Sequence, residues 1–305
     1  MRITFPALAS INDAVNTAYN TQLFQAPRVF DRFTYDAKST GRQEIYPMMA
    51  LLPGLREWIG DRVVNSLSAQ SFAIRNKTFE ETIGIRREDV EDDQFGILTG
   101  IAKQLGQDAA NLADRLVASL MKNGANAVSL DGQNFFDVAH PNPTATGAPG
   151  TIANYMPGNG PPWFLIDSTW VWKPFIWQTR RPFEIIPLFS LTDPLVFQNQ
   201  EFQWGVDGRA NAGYGFWQLA FLSQAPMTVA NIVAARTAMA SIRRPDGTPL
   251  GVTPNLLVVP TALFVDALAY QVNDFIPIDA VTGATTLAPN PLKGLMTTVE
   301  DKWLN

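Results

Sequence analysis

Apolar residues recur at steps of three and four through Ile97, Ile101, Leu105, Ala109, Leu112, Leu116 and Leu120, with Gly124 following as a stop. That spacing places them on one face of an α-helix. The acidic run Glu88–Asp93 ahead of the stripe suits the positive end of a helix dipole, and Lys122 suits the negative end. This explains the acidic run without calcium, since it lacks a glycine-turned calcium-loop spacing. Such a helix would run about 45 Å at 1.5 Å per residue.

The segments around this rod have different textures. Ala9–Tyr19 is helical in character, with Ser10 as a cap, whereas Leu23–Gln43 mixes single aromatics with scattered charges and holds no period, which reads as an extended arm. In LLPGLREWIGDR, Pro53 and Gly54 make a turn, and Leu55, Trp58 and Ile59 share the face of a short anchoring helix. Phe72 and Ile74 then alternate with small or polar residues. Phe79, Ile83 and Ile85 alternate beyond Asn76–Lys77, so a two-residue turn would set Ile74 opposite Phe79 in a long hairpin. Such a ribbon has too few apolar side chains for a core of its own and needs another surface to lie on.

Past Ala127 the chain is rich in Gly, Pro, Asn and Thr, as loops are. Short β-rich segments follow at Trp163–Ile166, Trp170–Thr179, Phe183–Leu188, Leu195–Phe202 and Tyr214–Leu222, expected to pair antiparallel. The final third alternates: a helix at Val229–Ile242, a buried strand at Leu256–Val259, a helix at Ala262–Val272 and a last strand at Leu295–Val299. The class is α+β.

Composition removes many functions. With no cysteine there is no disulfide, thiolate metal site or cysteine nucleophile, and a single histidine, His140, excludes multi-histidine metal sites. A net charge of -5 argues against a groove for nucleic-acid phosphates. Charged residues are only 17% of the chain, so some apolar surface is expected to be buried against other subunits. No apolar run reaches the length of a membrane helix, because Pro260 and Asp266 interrupt the longest, Leu256–Tyr270. Met1–Ala9 makes a poor secretory signal, and synthesis in the cytosol is expected.

Candidate chemistry is thin. Asp137 and His140 could pair as orienter and base, with Ser129 or Ser168 recruited as nucleophile, but no strand–turn–helix elbow presents either serine. Gly205, Gly208, Gly213 and Gly215 lack the Walker lysine and precede a strand, so turn formation and close packing explain them better than phosphate binding. Trp170, Trp172 and Trp177 could stack on sugars, and Asp167 and Asp193 could serve as glycosidase acids. Simple core packing explains the tryptophans as well. No catalytic residue, cofactor or metal is assigned.

The block LREWIGDRVVNSLSAQSFAIRNKTFEETIGIRREDVEDDQFGI (Leu55–Ile97) closely resembles part of the Mu-like phage and prophage major head subunits. DGQNFFDVAHPN (Asp131–Asn142), GPPWFLID (Gly160–Asp167), GVDGRANAGYGFWQLAF (Gly205–Phe221) and NLLVVPTAL (Asn255–Leu263) resemble its later blocks in the same order. The resemblance implies the tailed-phage major capsid fold of the Hong Kong ninety-seven type, with an N-terminal arm, an extended β-hairpin loop, a long spine helix, a peripheral β-rich domain and an axial α/β domain. On that pattern residues 1–62 would hold the arm and anchoring helix and 63–91 the extended hairpin loop. The spine helix and peripheral domain would occupy 92–224, and the axial domain 225–305. The implied function is self-assembly into an icosahedral or prolate head shell of hexamers and pentamers, made in the bacterial host cytoplasm and enclosing DNA without reading its sequence. Scaffold, portal and cementing proteins are the implied partners, and no membrane is involved. Lys77 would sit near the hairpin tip as a solvated turn residue, not as a cross-linking lysine.

Expected inter-subunit contacts are Trp58, Phe72, Ile74 and Phe79 as apolar anchors. Arg75, Lys77, Glu80, Glu81, Arg86 and Arg87 are expected to form charge pairs that set register. Two other readings stay open: a cellular nanocompartment shell of the same fold, enclosing enzyme cargo, and a monomeric sugar-binding or hydrolytic β-protein.

Overall fold

The computed structural model describes residues 5–47, 71–92, 96–190, 193–279 and 285–305. Helix α1 (Phe5–Gln25) leads through a 3-10 turn (Phe30–Arg32) to β1 (Thr34–Lys38) and β2 (Gln43–Pro47). Then come β3 (Ser71–Arg75), β4 (Lys77–Arg86), the short α2 (Arg87–Glu91) and the spine helix α3 (Ile97–Asn123). Short strands β5 (His140–Pro141), β6 (Thr151–Ile152) and β7 (Tyr155–Met156) precede β8 (Trp163–Ile166) and the long β9 (Phe175–Leu188). Helix α4 (Pro194–Asn199), β10 (Glu201–Tyr214), β11 (Ala220–Ser223), α5 (Val229–Ala240) and β12 (Leu256–Val259) follow. The chain closes with α6 (Thr261–Val272), β13 (Phe275–Asp279), β14 (Thr285–Pro289) and β15 (Thr297–Glu300).

The spine helix forms where the apolar spacing predicts it, but it turns a different face inward. Leu98, Ala102, Leu105, Gly106, Ala110, Ala113, Val117, Ala118 and Met121 are buried, while Ile97 is exposed and Ile101, Leu112, Leu116 and Leu120 lie half-buried along one flank. Small residues occupy the inner face because another helix lies close against it. A Cβ on Gly106 would fall 2.5 Å from the Tyr19 carbonyl oxygen of α1. The acidic run does not start this helix. Glu88 and Asp89 occupy the first turn of α2, and α3 begins after Gly96, whose φ of 67° favours glycine.

Residues 5–47 are not the loose arm that the sequence suggests. Leu8, Val15, Ala18 and Tyr19 of α1 share a core with Leu98, Ala102 and Leu105 of α3 and with Phe202, Trp204 and Val206 of β10. The Tyr19 hydroxyl donates to the Phe183 carbonyl at 3.0 Å. The isolated aromatics are core plugs: Phe30 and Phe33 are buried beside Trp177 and Phe175. The backbone N–H groups of Val29 and Phe30 donate to buried Asp114 of the spine, at 3.0 and 2.8 Å.

Two sheets carry the architecture. The first has the order β1-β9-β10-β4, with β1 parallel to β9 and the other pairs antiparallel. Along β10 every second side chain from Phe202 to Ala212 is buried, the period of a strand with one face on a core. Its glycines therefore sit in a strand and not in turns. A Cβ on Gly208 would meet the Phe183 ring at 2.5 Å, and one on Gly213 the Ile74 side chain at 2.3 Å. The expected strand Leu195–Phe202 is split: Pro194 opens helix α4, as proline at a first turn can, and Gln200 at φ 50° ends it.

The second sheet has the order β15-β12-β8-β11-β7. All four residues of both β8 and β12 are buried, which accounts for their unbroken apolar runs. This sheet draws β7, β8 and β11 from before Gln224 and β12 and β15 from after it, so a domain boundary at Gln224 would cut through one hydrogen-bonded sheet.

Candidate assembly surfaces

The expected Asn76–Lys77 hairpin is replaced by a different pairing. Strand β3 pairs with β2, so Ile74 faces Glu44, while β4 pairs with β10, so Phe79 faces Gly208. The ribbon is thus β2–β3, a two-stranded sheet of its own, and residues 48–70 lie outside the described residues. Asn76 is its root and no turn tip. The Asn76 side chain is buried and donates to Ser39 Oγ at 2.7 Å and to the Gly41 carbonyl at 3.0 Å. Gln178 of β9 donates to Asn76 Oδ1 at 2.7 Å and to the Ile74 carbonyl at 3.1 Å, and accepts from the Tyr46 hydroxyl at 2.8 Å. Glu44 closes the turn before β2 by accepting from Ser39 Oγ and from the N–H groups of Thr40 and Gly41; those N–H donors hold its carboxyl below the usual range. Sequence reasoning missed Asn76, Gln178 and Glu44. An Asn–Lys pair reads as a turn, and polar side chains drawn together from β2, β9 and the junction of β3 and β4 leave no local pattern.

The ten predicted contact residues fall into separate groups. Trp58 lies outside the described residues. Ile74 is a correction: it is buried against Ala37 and Ile176 of its own chain, so it has no apolar surface to offer a neighbour. Phe72 is half-buried and stacks on Tyr46, with ring centroids 5.3 Å apart. Phe79 is half-buried near Phe183, at the mouth of a cavity of about 230 Å³ that Glu81, Asp108, Leu112 and Arg115 also line. Burial, reinforced by Asp108 and opposed by Arg115, pushes the Glu81 carboxyl up. Arg87 is engaged at home, 2.9 Å from Glu91. Arg75, Lys77, Glu80, Glu81 and Arg86 are exposed. All but Arg75 lie on β4, the outer strand of its sheet; charge on such an edge discourages indiscriminate strand pairing. Lys77 is at the start of that paired strand, opposite Ala210, and not at a tip.

Beside the root lies a cleft of about 640 Å³, lined by Phe72–Arg75, Leu120, Val128–Leu130 and Asn211–Gly215. It holds no pair of acid and base. His140 is wholly buried, stacked on Trp217 at 3.7 Å, with Nδ1 2.6 Å from Asp131 Oδ2 and Nε2 3.0 Å from Asn154 Oδ1. The Asn154 amide in turn donates to the carbonyls of Phe135, Trp217 and Ala220. Both ring nitrogens are engaged, and the orienting carboxylate is Asp131, since Asp137 accepts from the Ala139 N–H instead. Asp167 is buried, accepting from Thr169 and the Thr253 N–H. Ser168 hydrogen-bonds Asn255. Trp177 is core, Trp170 packs on that core and Trp172 lies against Tyr35 at 4.5 Å, so the three form no stacking platform.

The sequence pattern of the family described as "Mu-like prophage major head subunit gpT" matches residues 8–304. The chain belongs to that family. It is 34% identical over 269 residues to the major capsid protein of Escherichia phage Mu, covering 86% of this chain and 88% of the relative. It is 33% identical over 250 residues to the Mu-like prophage FluMu major head subunit of Haemophilus influenzae, covering 79% and 80%. Among solved structures, the procapsid subunit of bacteriophage JBD30 superposes with a TM-score of 0.83 at 32% identity, covering 99% of this chain and 100% of that one. The subunit from the JBD30 capsid gives 0.76 at 26% identity, over 92% of each chain. The fold is therefore the tailed-phage major capsid fold, and the head subunit is a building block of the shell.

Proposed function

We propose that the head subunit works by contact alone, closing a genome-enclosing shell of hexamers and pentamers without catalytic turnover. The observation that carries this reading is the ribbon β2–β3. Its root is pinned by buried hydrogen bonds, yet it forms a separate two-stranded sheet with Ile45 exposed on one face. A two-stranded ribbon gains stability only against another surface, so folding of the loop and assembly are energetically coupled. The exposed charges Arg75, Lys77, Glu80, Glu81 and Arg86 set register between neighbours, each pair contributing about 0–1 kcal/mol. The half-buried Phe72 and Phe79, together with Trp58, supply apolar contact. Along the chain the arm and its helix α1, the extended loop β2–β3, the spine α3 and the sheet containing β9 and β10 form the peripheral part of the subunit, and the five-stranded sheet with α5 and α6 forms the axial part. Net negative charge suits a shell that surrounds DNA without adhering to it. Assembly takes place in the host cytoplasm, with separate scaffold, portal and cementing chains as partners.

The test is mass and shape: light scattering and negative-stain microscopy on the purified chain. Rings of five or six subunits, or closed shells, are expected. A stable monomer at high concentration would refute the reading.

A further inference from the structure

The partners of His140 fix where its protons are. The Asn154 amide nitrogen donates to the carbonyls of Phe135, Trp217 and Ala220 at 2.9, 3.2 and 3.3 Å. Three acceptors on one side orient that amide, so the atom 3.0 Å from His140 Nε2 is its oxygen, which also accepts the Asp137 N–H at 2.8 Å. Nε2 must therefore donate. Across the ring, Nδ1 lies 2.6 Å from Asp131 Oδ2, while Asp131 Oδ1 accepts the Gln133 N–H at 3.2 Å. A neutral imidazole has one donor nitrogen and one acceptor nitrogen. Beside an ionised Asp131, either neutral form would press a nitrogen lone pair against an oxygen lone pair at a wholly buried ring.

We infer that His140 carries hydrogen on both ring nitrogens in the folded subunit, and that this buried imidazolium, paired with Asp131, is a proton-dependent latch on one wall of the cleft beside the ribbon root. Asp131 supplies the opposite charge, and Trp217, at 10° to the ring plane, offers its π-face to the cation. Within residues 127–142 the other titratable group is Asp137, whose carboxylate is occupied by the N–H groups of Ala139 and Asn134. Neither β6 nor the turn Trp217–Leu219 carries an ionisable side chain. Asp131 follows directly on Val128–Leu130, which line the cleft together with Phe72–Arg75, whereas His140 is held in place by its pairing with Ile152. The bond between them therefore ties a wall of the cleft to the core. A charge-assisted bond is roughly twice as strong as a neutral one, so loss of the shared charge as pH rises loosens that wall.

The chain has one histidine, so labelling histidine with nitrogen-15 gives ring signals from this residue alone. Both ring nitrogens of the unmodified chain should show an attached proton near pH 7. Asp131→Asn, which can offer Nδ1 an N–H in place of a carboxylate, should return the ring to one protonated and one bare nitrogen, and Asp131→Glu should restore the second proton. Hydrogen exchange reads the latch itself. The Ser129 and Phe135 amides, bonded to the carbonyls of Gln133 and Ala127, should exchange at least tenfold faster in Asp131→Asn than in the unmodified chain. A bare ring nitrogen in the unmodified chain would overturn the inference whatever the variants do, and unchanged exchange in Asp131→Asn would overturn the latch. Both readouts are made on the subunit and need no assembly, so they are decided separately from the shell reading.

Discussion

Asp301 is buried near the end of the chain at an electrostatic cost that can be titrated. It is 2% exposed and accepts from the Trp303 N–H at 2.9 Å. Burial pushes its carboxyl from the ordinary 3.8 up to about 6; that hydrogen bond and the charges of Lys122 and Lys302 offset the push in part, while Asp114 adds to it. A raised carboxyl means that the folded state holds the proton more tightly than the unfolded chain. The penalty for ionising Asp301 is therefore absent below about pH 4, grows as pH rises and is complete above about pH 6. A shift of about two units corresponds to about 3 kcal/mol. Asp301→Asn keeps an oxygen for the Trp303 N–H and removes the charge. It should match the unmodified subunit near pH 4 and exceed it by up to about 3 kcal/mol at pH 8, or about 5 °C in thermal midpoint. Thermal unfolding of dispersed subunits from pH 4 to 8 measures the gap. A gap that does not change with pH, or a variant less stable at pH 8, would refute the argument that desolvation dominates at this site.

Gly106→Val should cost about 1–3 kcal/mol, because its Cβ would meet the Tyr19 carbonyl at 2.5 Å and push α1 off the spine; faster proteolysis within residues 5–25 would register the displacement. Ile74→Asp places a carboxylate in the small core with Ala37 and Ile176 and should lower the stability of the dispersed subunit by about 3 kcal/mol or more, measured by urea unfolding. Arg86→Glu, on the exposed edge strand, should leave that stability within about 0.5 kcal/mol and instead change the salt dependence of assembly, followed by light scattering.

Local order was legible wherever it depends on neighbours a few residues apart. The rod at Ile97–Asn123, the strand Leu256–Val259 and the helices after Val229 and Thr261 arise from periodicity, and the structure holds each within a few residues of where the pattern places it. Ordered blocks of residues also carried the family, and with it the fold class. The assembly surface was only partly legible. The charges of β4, read as partners for a neighbour's charges, lie exposed on an edge strand, whereas Ile74, assigned to a neighbour, is buried in its own chain.

What only the tertiary structure decided is which strand pairs with which, and which face of a helix turns inward. Phe72–Arg75 and Lys77–Arg86 alternate equally well whether they fold on each other or part company, because alternation sets the face of a strand and not its partner. The choice fell to distant groups: Ser39, Gly41 and Gln178 satisfy the buried Asn76 amide, and Gly208 and Gly213 leave room for Phe183 and Ile74. On the spine, Leu105 of the stripe keeps the inner face, but Gly106 beside it must be small because the Tyr19 carbonyl of α1 comes close there. Periodicity is a property of a segment, whereas burial is a property of whatever the rest of the chain lays against it.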